Sequence, residues 1–265
     1  MKRNTVRDIQ KIYEKGNKIS CLSLYDACMA RFADDSGSDV LLVGDSLGMT
    51  VLGYETTVPV TLEDCLRHTA AVVRGSAKAL VVGDLPFATY QPSIEMAMKN
   101  AAKFLHEAGA QAVKLEGGVE MAPTVKALVR IGIPVMGHIG ILPQNVNVEG
   151  YRVKGRTDEE EAGLLKDALA LQEAGVFSLV LEGIQKDAAA RITEALKIPT
   201  VGIGAGKGCS GQIQVAHDIL GLMENATPKH ARKYAMLAEQ IRNAFKSYNN
   251  DVRDLQFPGE ENSFK

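Results

Sequence analysis

The sequence predicts a closed (βα)8 barrel, and three observations carry that prediction. Short apolar runs recur, each stopping at glycine and an acid: Val40–Val43 before Gly44-Asp45 and Ala79–Val82 before Gly83-Asp84, with Ala112–Leu115, interrupted by Lys114, running into Glu116. Continuous apolar runs of that length are the signature of strands buried on both faces, as in a parallel sheet. Segments with apolar residues at helical spacing lie between them, which is the alternation of parallel βα units. These units number about eight, and a chain of 265 residues has the size of one such barrel.

Taken in order, Thr5 to Lys15 places Val6, Ile9, Ile12 and Tyr13 on one face of an opening helix. Lys18 to Leu24 is the first strand, and Ala27 to Asp35 a helix closed by Gly37. Val40–Val43 is the second strand, followed by a long polar connection from Leu47 to Pro59. Thr61 and Asp64 form a capping box for a helix reaching about Arg74. Leu80–Val82 is the third strand, Ser93 to Ala108 a helix ended by Gly109, and Ala112–Glu116 the fourth strand. A helix from Val119 to Arg130 leads to the fifth strand, Pro134–His138, and a second long connection, Ile141 to Arg156. Thr157 and Glu160 repeat the capping box, and Gly175 stops the helix they start. Ser178–Glu182 is the sixth strand, Lys186 to Leu196 a helix, Thr200–Ile203 the seventh strand and Ile213–Ala216 the eighth. Pro228 to Tyr248 is a closing helix. The last strand decides the architecture: without it the same units make an open doubly wound sheet. No linker or low-complexity tract interrupts the chain, so a single domain over residues 1–265 is expected.

Composition narrows the function. Hydrophobic residues are 46% and charged residues 23%, ordinary for a globular protein with a sizeable core. A net charge of −2 leaves no basic footprint for nucleic acid or an anionic membrane. No apolar run approaches membrane-spanning length, and the N-terminus leads into a polar helix instead of a signal-peptide core, so a cytoplasmic protein is expected. Cys21, Cys28, Cys65 and Cys209 form no C-x-x-C pair and read as free thiols in a reducing compartment.

Chemistry concentrates where the strands end. Asp45, Asp84, Glu116 and Glu182 each follow an apolar run directly. A single such acid has ordinary readings, as a helix cap, a solvated loop group or half of an ion pair. Four at one rim are different, because gathering carboxylates requires a cation or shared protons to offset their repulsion. Carboxylates without a His or Cys cluster suit Mg2+ better than Zn2+. Lys114 and Glu116, two apart on a strand, share the inner face, where the lysine supplies a fixed positive charge for an anionic substrate group such as a carboxylate. Glu182 belongs to a more distant strand and is a candidate base facing the metal site. His138 stands at a strand end and ranks as a second-tier candidate, since a lone histidine is more often structural, whereas His68 and His217 lack metal-ligand spacing and read as structural. The run Gly202-Ile-Gly-Ala-Gly-Lys-Gly208 satisfies neither the Walker A nor the dinucleotide pattern and reads as a tight loop letting backbone approach a ligand.

Several of these stretches resemble ketopantoate hydroxymethyltransferases. They are Val43-Gly-Asp-Ser-Leu-Gly-Met-Thr50, Asp84-Leu-Pro-Phe87, Val113-Lys-Leu-Glu-Gly-Gly118 and Pro134-Val-Met-Gly-His-Ile-Gly140. Leu181-Glu182-Gly183, Ile198 to Gly206, His217-Asp218 and Phe257 to Phe264 follow in the same order. The resemblance implies a (βα)8 barrel akin to phosphoenolpyruvate-binding lyases and mutases, assembled as a homodecamer of two pentamers. It implies transfer of a hydroxymethyl group from the co-substrate 5,10-methylenetetrahydrofolate to 3-methyl-2-oxobutanoate, giving 2-dehydropantoate on the route to pantothenate and coenzyme A. By position it places Asp45, Asp84 and Glu116 in the motifs of one Mg2+ site, and Asp45, Ser46, Asp84 and Lys114 where the family holds the keto acid. Glu182 falls where the family has its general base. Leu24, Leu142, Asn145, Ser210 and Asn262 depart from the usual pattern, and none is among the residues so placed. Two other readings are set beside this one: a Mg2+-dependent lyase or aldolase of the same barrel superfamily that needs no folate, and a metabolite-binding barrel without catalysis.

Overall fold

The computed structural model describes residues 3–224 and 228–264. Eight strands form a closed barrel in chain order: β1 (Ile19–Ser23), β2 (Val40–Val43), β3 (Leu80–Asp84), β4 (Ala112–Lys114), β5 (Val135–Gly140), β6 (Ser178–Glu182), β7 (Thr200–Ile203) and β8 (Gly211–Val215). Every neighbouring pair is parallel, and β1 pairs with both β2 and β8. That last pairing, Ile19 with Gly211 through Ser23 with Val215, closes the sheet and excludes the doubly wound alternative. β8 begins at Gly211 and ends at Val215, earlier than the expected Ile213–Ala216. A Cβ on Gly211 would lie 2.4 Å from the Ile19 carbonyl, so the closing contact needs glycine at a position that carries no apolar signal. β4 stops at Lys114 instead of Glu116, although the Leu115 and Gly117 N–H groups still donate to the Met136 and His138 carbonyls.

Strand register sorts the side chains into two sets. Ile19, Cys21, Val40, Leu42, Leu80, Val82, Ala112, Met136, Val180, Val201, Ile203 and Ile213 form one buried cluster inside the barrel. The opening helix, Val6–Glu14, contributes Ile9 to this cluster and packs Val6, Ile12 and Tyr13 against it, plugging the end where the strands begin. Because side chains alternate along a strand, the next inward positions toward the other end are Ser23, Gly44, Asp84, Lys114, His138 and Glu182. The interior is thus apolar below and ionisable above, and the boundary falls within single strands.

Helices between the strands start where the caps predict. Thr61 Oγ1 accepts from the Asp64 N–H at 3.2 Å while the Asp64 carboxylate accepts from the Thr61 N–H at 3.1 Å, opening Leu62–Gly75. At Asp158–Ala174 only half of the expected box forms: Thr157 caps Glu160, but the Glu160 carboxylate accepts from Arg156 N–H instead. The segment from Val119 begins as a 3-10 turn and becomes α-helical at Ala122–Arg130. The connection after β2 starts with a helical turn, Leu47–Thr50.

Asp34 locks the end of helix Ala27–Asp35 to the approach of β3. Its buried carboxylate accepts from the N–H groups of Ala77, Lys78 and Ala79 at 2.9, 3.0 and 2.6 Å. Burial works against its charge, but the three backbone donors prevail and hold its pKa below the usual value. Asp34→Ala should therefore cost about 2–3 kcal/mol, read from denaturant midpoints at neutral pH. A depressed carboxyl pKa stabilises above the unfolded value of about 4 and loses that stabilisation as pH falls through the folded value, so the gap should close in acid.

The contacts divide the chain into two compact units, residues 1–215 and 216–265. The second contains a short turn, Ala216–Ile219, and a helix, Leu237–Arg253. The closing helix was expected from Pro228; it begins later because Tyr234 and Ala235 both donate their N–H groups to the Ile219 carbonyl, and Leu237 to Leu220. Those donors are committed to the turn before the helix can use the preceding residues. Among the described residues, no helix is long and apolar enough to cross a membrane.

Candidate active site

The ionisable residues meet at the C-terminal rim of the strands, the end at which βα barrels carry their chemistry. Asp84, Lys114, His138 and Glu182 come from β3, β4, β5 and β6, and Glu116 follows β4 after Leu115. Asp45 lies beyond β2 in the turn after Gly44, where its N–H donates to Asp84 Oδ2 at 3.1 Å. Gly140 sets the spacing at Glu182: its φ is +105°, and a Cβ there would lie 2.1 Å from the Glu182 carbonyl.

Lys114 Nζ stands 2.9 Å from Asp84 Oδ1 and 3.5 Å from Glu116 Oε1. His138 Nδ1 is 3.4 Å from the same Glu116 oxygen, and its Nε2 is 3.3 Å from Glu182 Oε2. Asp45, Asp84, Lys114, Glu116 and His138 are all buried, whereas the Glu182 side chain keeps 20% of its exposure and reaches toward solvent. Burial and the Lys114 ammonium, whose Nζ stands 3.3 Å from Nδ1, push the His138 pKa down, but Glu116 and Glu182 outweigh them and raise it to about 9. Lys114 loses to burial and gains more from Asp84, Glu116 and Asp45, so its pKa also rises. Burial acts against the Glu116 charge, yet Lys114 and His138 hold its pKa below the usual range. Asp84 remains raised by burial despite Lys114, and Asp45 is raised well above its ordinary value by burial and by the charges of Asp84 and Glu116. Two cations serve the rim acids, and at Asp45 the Lys114 charge and a hydrogen bond from Gln144 only partly offset burial and the neighbouring carboxylates.

Ser46 Oγ is 2.8 Å from the hydroxyl of buried Tyr25, which makes a hydroxyl pair beside the acids. Gln144, from the connection after β5, is buried and enters the rim as well. Its Nε2 donates to Asp45 Oδ2 and the Leu85 carbonyl, both at 3.0 Å, and its backbone N–H donates to Glu116 Oε2 at 3.2 Å. Sequence reasoning assigned no site role to Gln144, Tyr25 or Tyr90, and it ranked His138 behind the acids and Lys114. His138 was reachable through its inward register with Met136. Nothing local marks Gln144, because its partners are remote in sequence. His68 has the structural place expected, with Nδ1 2.6 Å from the Tyr25 carbonyl. Cys21, Cys65 and Cys209 are buried and Cys28 exposed, all as free thiols.

Over residues 3–260, a span that includes every strand and every rim residue above, the sequence matches ketopantoate hydroxymethyltransferase. The chain belongs to the ketopantoate hydroxymethyltransferase family. It is 58% identical over 261 residues to the 3-methyl-2-oxobutanoate hydroxymethyltransferase of Chloroflexus aurantiacus, covering 98% of this chain and 92% of that one. It is 51% identical over 265 residues to the enzyme of that name from Carboxydothermus hydrogenoformans, covering 100% and 96%. Among solved structures, a phosphonopyruvate hydrolase complex with oxalate and Mg2+ superimposes with a TM-score of 0.65 at 12% identity, covering 98% of this chain and 93% of the other. A 2,3-dimethylmalate lyase of the phosphoenolpyruvate mutase/isocitrate lyase superfamily gives 0.61 at 17%, covering 99% and 89%. These last two share the fold with this member of the ketopantoate hydroxymethyltransferase family.

The rim also bears on the divalent cation implied by the resemblance to ketopantoate hydroxymethyltransferases. Its donors are hard carboxylate oxygens, as Mg2+ prefers. Asp84 Oδ1 and Glu116 Oε1 are buried acceptors without a directional hydrogen bond, meeting Lys114 and His138 only as ion pairs. A Cβ on Gly44, on the inward register of β2, would lie 2.9 Å from Ser46 Oγ, 3.3 Å from Ser23 Oγ and 3.7 Å from Asp84 Oδ2, so glycine lets these polar groups crowd the backbone there. Among the described residues, no three His, Cys, Asp or Glu side chains already converge on one point. Asp45, Asp84 and Glu116, the three acids that the resemblance places at the ion, are thus not gathered on one point, and a Mg2+ ion there would take water and substrate oxygens as well. Asp45, Asp84 and Glu116 all have the chemistry to hold the ion, and Asp84 and Glu116 both already face Lys114, Glu116 also His138 and Gln144. Leu142 and Asn145 line a separate cleft of about 360 Å3 with Arg152, Lys154 and Asp167.

Proposed function

We propose that this protein transfers a hydroxymethyl group from 5,10-methylenetetrahydrofolate to 3-methyl-2-oxobutanoate, giving 2-dehydropantoate, with Mg2+ at the barrel rim. The observation that carries the reading is the family match over residues 3–260, which takes in the whole rim. In this reading Asp45, Asp84 and Glu116 make up the cation site, with Glu116 also facing Lys114 and His138. A divalent cation held there supplies an electrophile for the keto and carboxylate oxygens of a 2-oxo acid.

The remaining roles follow from the chain itself. Lys114, fixed by Asp84 and Glu116, presents a positive charge to the substrate carboxylate. Ser46, paired with Tyr25, donates a hydrogen bond to it. Glu182 takes the proton from C3, the carbon next to the carbonyl, and the electron pair left on C3 forms the new bond to the one-carbon unit. Water supplies the hydroxyl, and tetrahydrofolate leaves. The His138 imidazolium holds the Glu182 carboxylate from Nε2, orienting it across the rim from Asp45.

Product formation from 3-methyl-2-oxobutanoate should require both methylenetetrahydrofolate and Mg2+, and chelation should abolish it. Cleavage or condensation of the keto acid without folate would favour the lyase or aldolase, and absence of any turnover the binding barrel. A homodecamer and a cytoplasmic location belong to the same reading and are supported by family membership; light scattering tests the assembly.

A further inference from the structure

The Gln144 amide is fully committed on both sides. Its Nε2 faces two acceptors, Asp45 Oδ2 and the Leu85 carbonyl, each at 3.0 Å. Its Oε1 faces the Tyr90 hydroxyl at 2.9 Å and Gln91 Nε2 at 3.0 Å. This arrangement of acceptors and donors fixes which way the amide points. Tyr90 is fixed in turn, since its hydroxyl also lies 3.1 Å from both the N and the O of Glu116. With its backbone N–H on Glu116 Oε2, Gln144 touches two rim carboxylates at once.

Gln144 also belongs to the loop after β5, which is anchored at both ends beside the base. At the near end the Ile141 N–H donates to the Glu182 carbonyl at 2.8 Å. At the far end the Lys154 N–H donates to Gly183 and the Lys154 carbonyl accepts from Gln185, both at 2.9 Å. Between the anchors the loop turns outward, leaving Val148 88% exposed. Gln144 therefore connects the loop's backbone to the Asp45 carboxylate.

We infer that Gln144 is a positioning residue: it holds Asp45 Oδ2 so that the other oxygen is free for the cation, and it thereby links closure of the 141–156 loop to cation binding. The inference rests on the reading of Asp45 as a cation ligand. Linkage is reciprocal, so a loop that favours the ligating pose of Asp45 is itself held closed when the cation binds. A polar partner behind a metal ligand typically contributes about 10–100-fold in affinity.

The test uses the full chain, with Mn2+ affinity measured by titration and backbone hydrogen exchange followed across residues 144–153, with and without Mg2+. In the wild type, Mg2+ should slow exchange in the loop. Gln144→Met keeps the backbone N–H to Glu116 but loses the amide; it should weaken Mn2+ binding about 10–100-fold and abolish the Mg2+ effect on the loop. Tyr90→Phe, which loosens the amide from its other side, should do both to a smaller degree and serves if Gln144→Met does not fold. Unchanged Mn2+ affinity in the variants overturns the inference, as does weakened binding with an unchanged loop response. A wild type that binds no cation overturns the cation reading as well, which separates the two failures.

Discussion

Glu182→Gln is expected to bind the keto acid within a few-fold of the wild type while losing solvent exchange of the C3 proton by about 10²–10⁴-fold. The substitution preserves size, and its amide oxygen can still accept from His138 Nε2, now 3.3 Å from the carboxylate. It removes only the capacity to take a proton. Binding survives because Asp84 and Lys114 lie on β3 and β4 and Asp45 in the turn after β2, away from β6. Deuterium exchange of 3-methyl-2-oxobutanoate, followed by NMR without folate, isolates this step from transfer. A second readout follows from the electrostatics. Glu182 is one of two carboxylates that raise the His138 pKa to about 9, so the variant should lower it. Exchange at the wild-type rate would remove Glu182 from the base role, whatever happened at His138.

Much of this arrangement was legible in the sequence because a barrel strand carries two kinds of information at once. Val40–Val43, Ser178–Glu182 and Thr200–Ile203 form strands with the expected bounds, since an apolar run can be satisfied only by burial on both faces. The acids that end such runs inherit their direction from the register, which brings Asp84, Lys114 and Glu182 to one rim. His138 obeys the same register, yet a lone histidine carries no chemical signature until its neighbours are known. β8 lay deeper: Gly211 and Gln212 give no apolar signal, and the glycine is there for the Ile19 backbone, a contact far away in sequence. Gln144 was hidden for a similar reason, because its meaning lies in Asp45, Leu85, Tyr90 and Glu116. Local physics thus exposes what a strand does for itself, and stays silent where one loop acts on another.

Lys114→Met should destabilise the fold by about 3–5 kcal/mol at pH near 8, the usual cost of removing one partner from a buried ion pair. Lys114 is 4% exposed and its ammonium is the ion-pair partner of Asp84 at 2.9 Å, so no water stands ready to replace it. The variant retains His138 as the cation beside Glu116, while Asp84 and Asp45 face each other uncompensated. The sign of the pH dependence follows. Burial already holds both aspartates above their ordinary pKa, and loss of the lysine charge raises them further. Between the unfolded pKa near 4 and those raised values the folded variant binds more protons than the unfolded chain, so its stability increases as pH falls. Urea midpoints should therefore show a wide gap to the wild type at pH near 8 and a narrower one near 5.5. A gap independent of pH would assign Lys114 to packing alone. Keto-acid binding should weaken by about 10–100-fold, as expected for loss of a charged hydrogen bond. Mg2+ provides the decisive control: held by Asp45, Asp84 and Glu116, it replaces part of the missing charge and should restore stability to the variant more than it adds to the wild type. A lysine that merely filled space would leave no deficit of charge for the ion to repair.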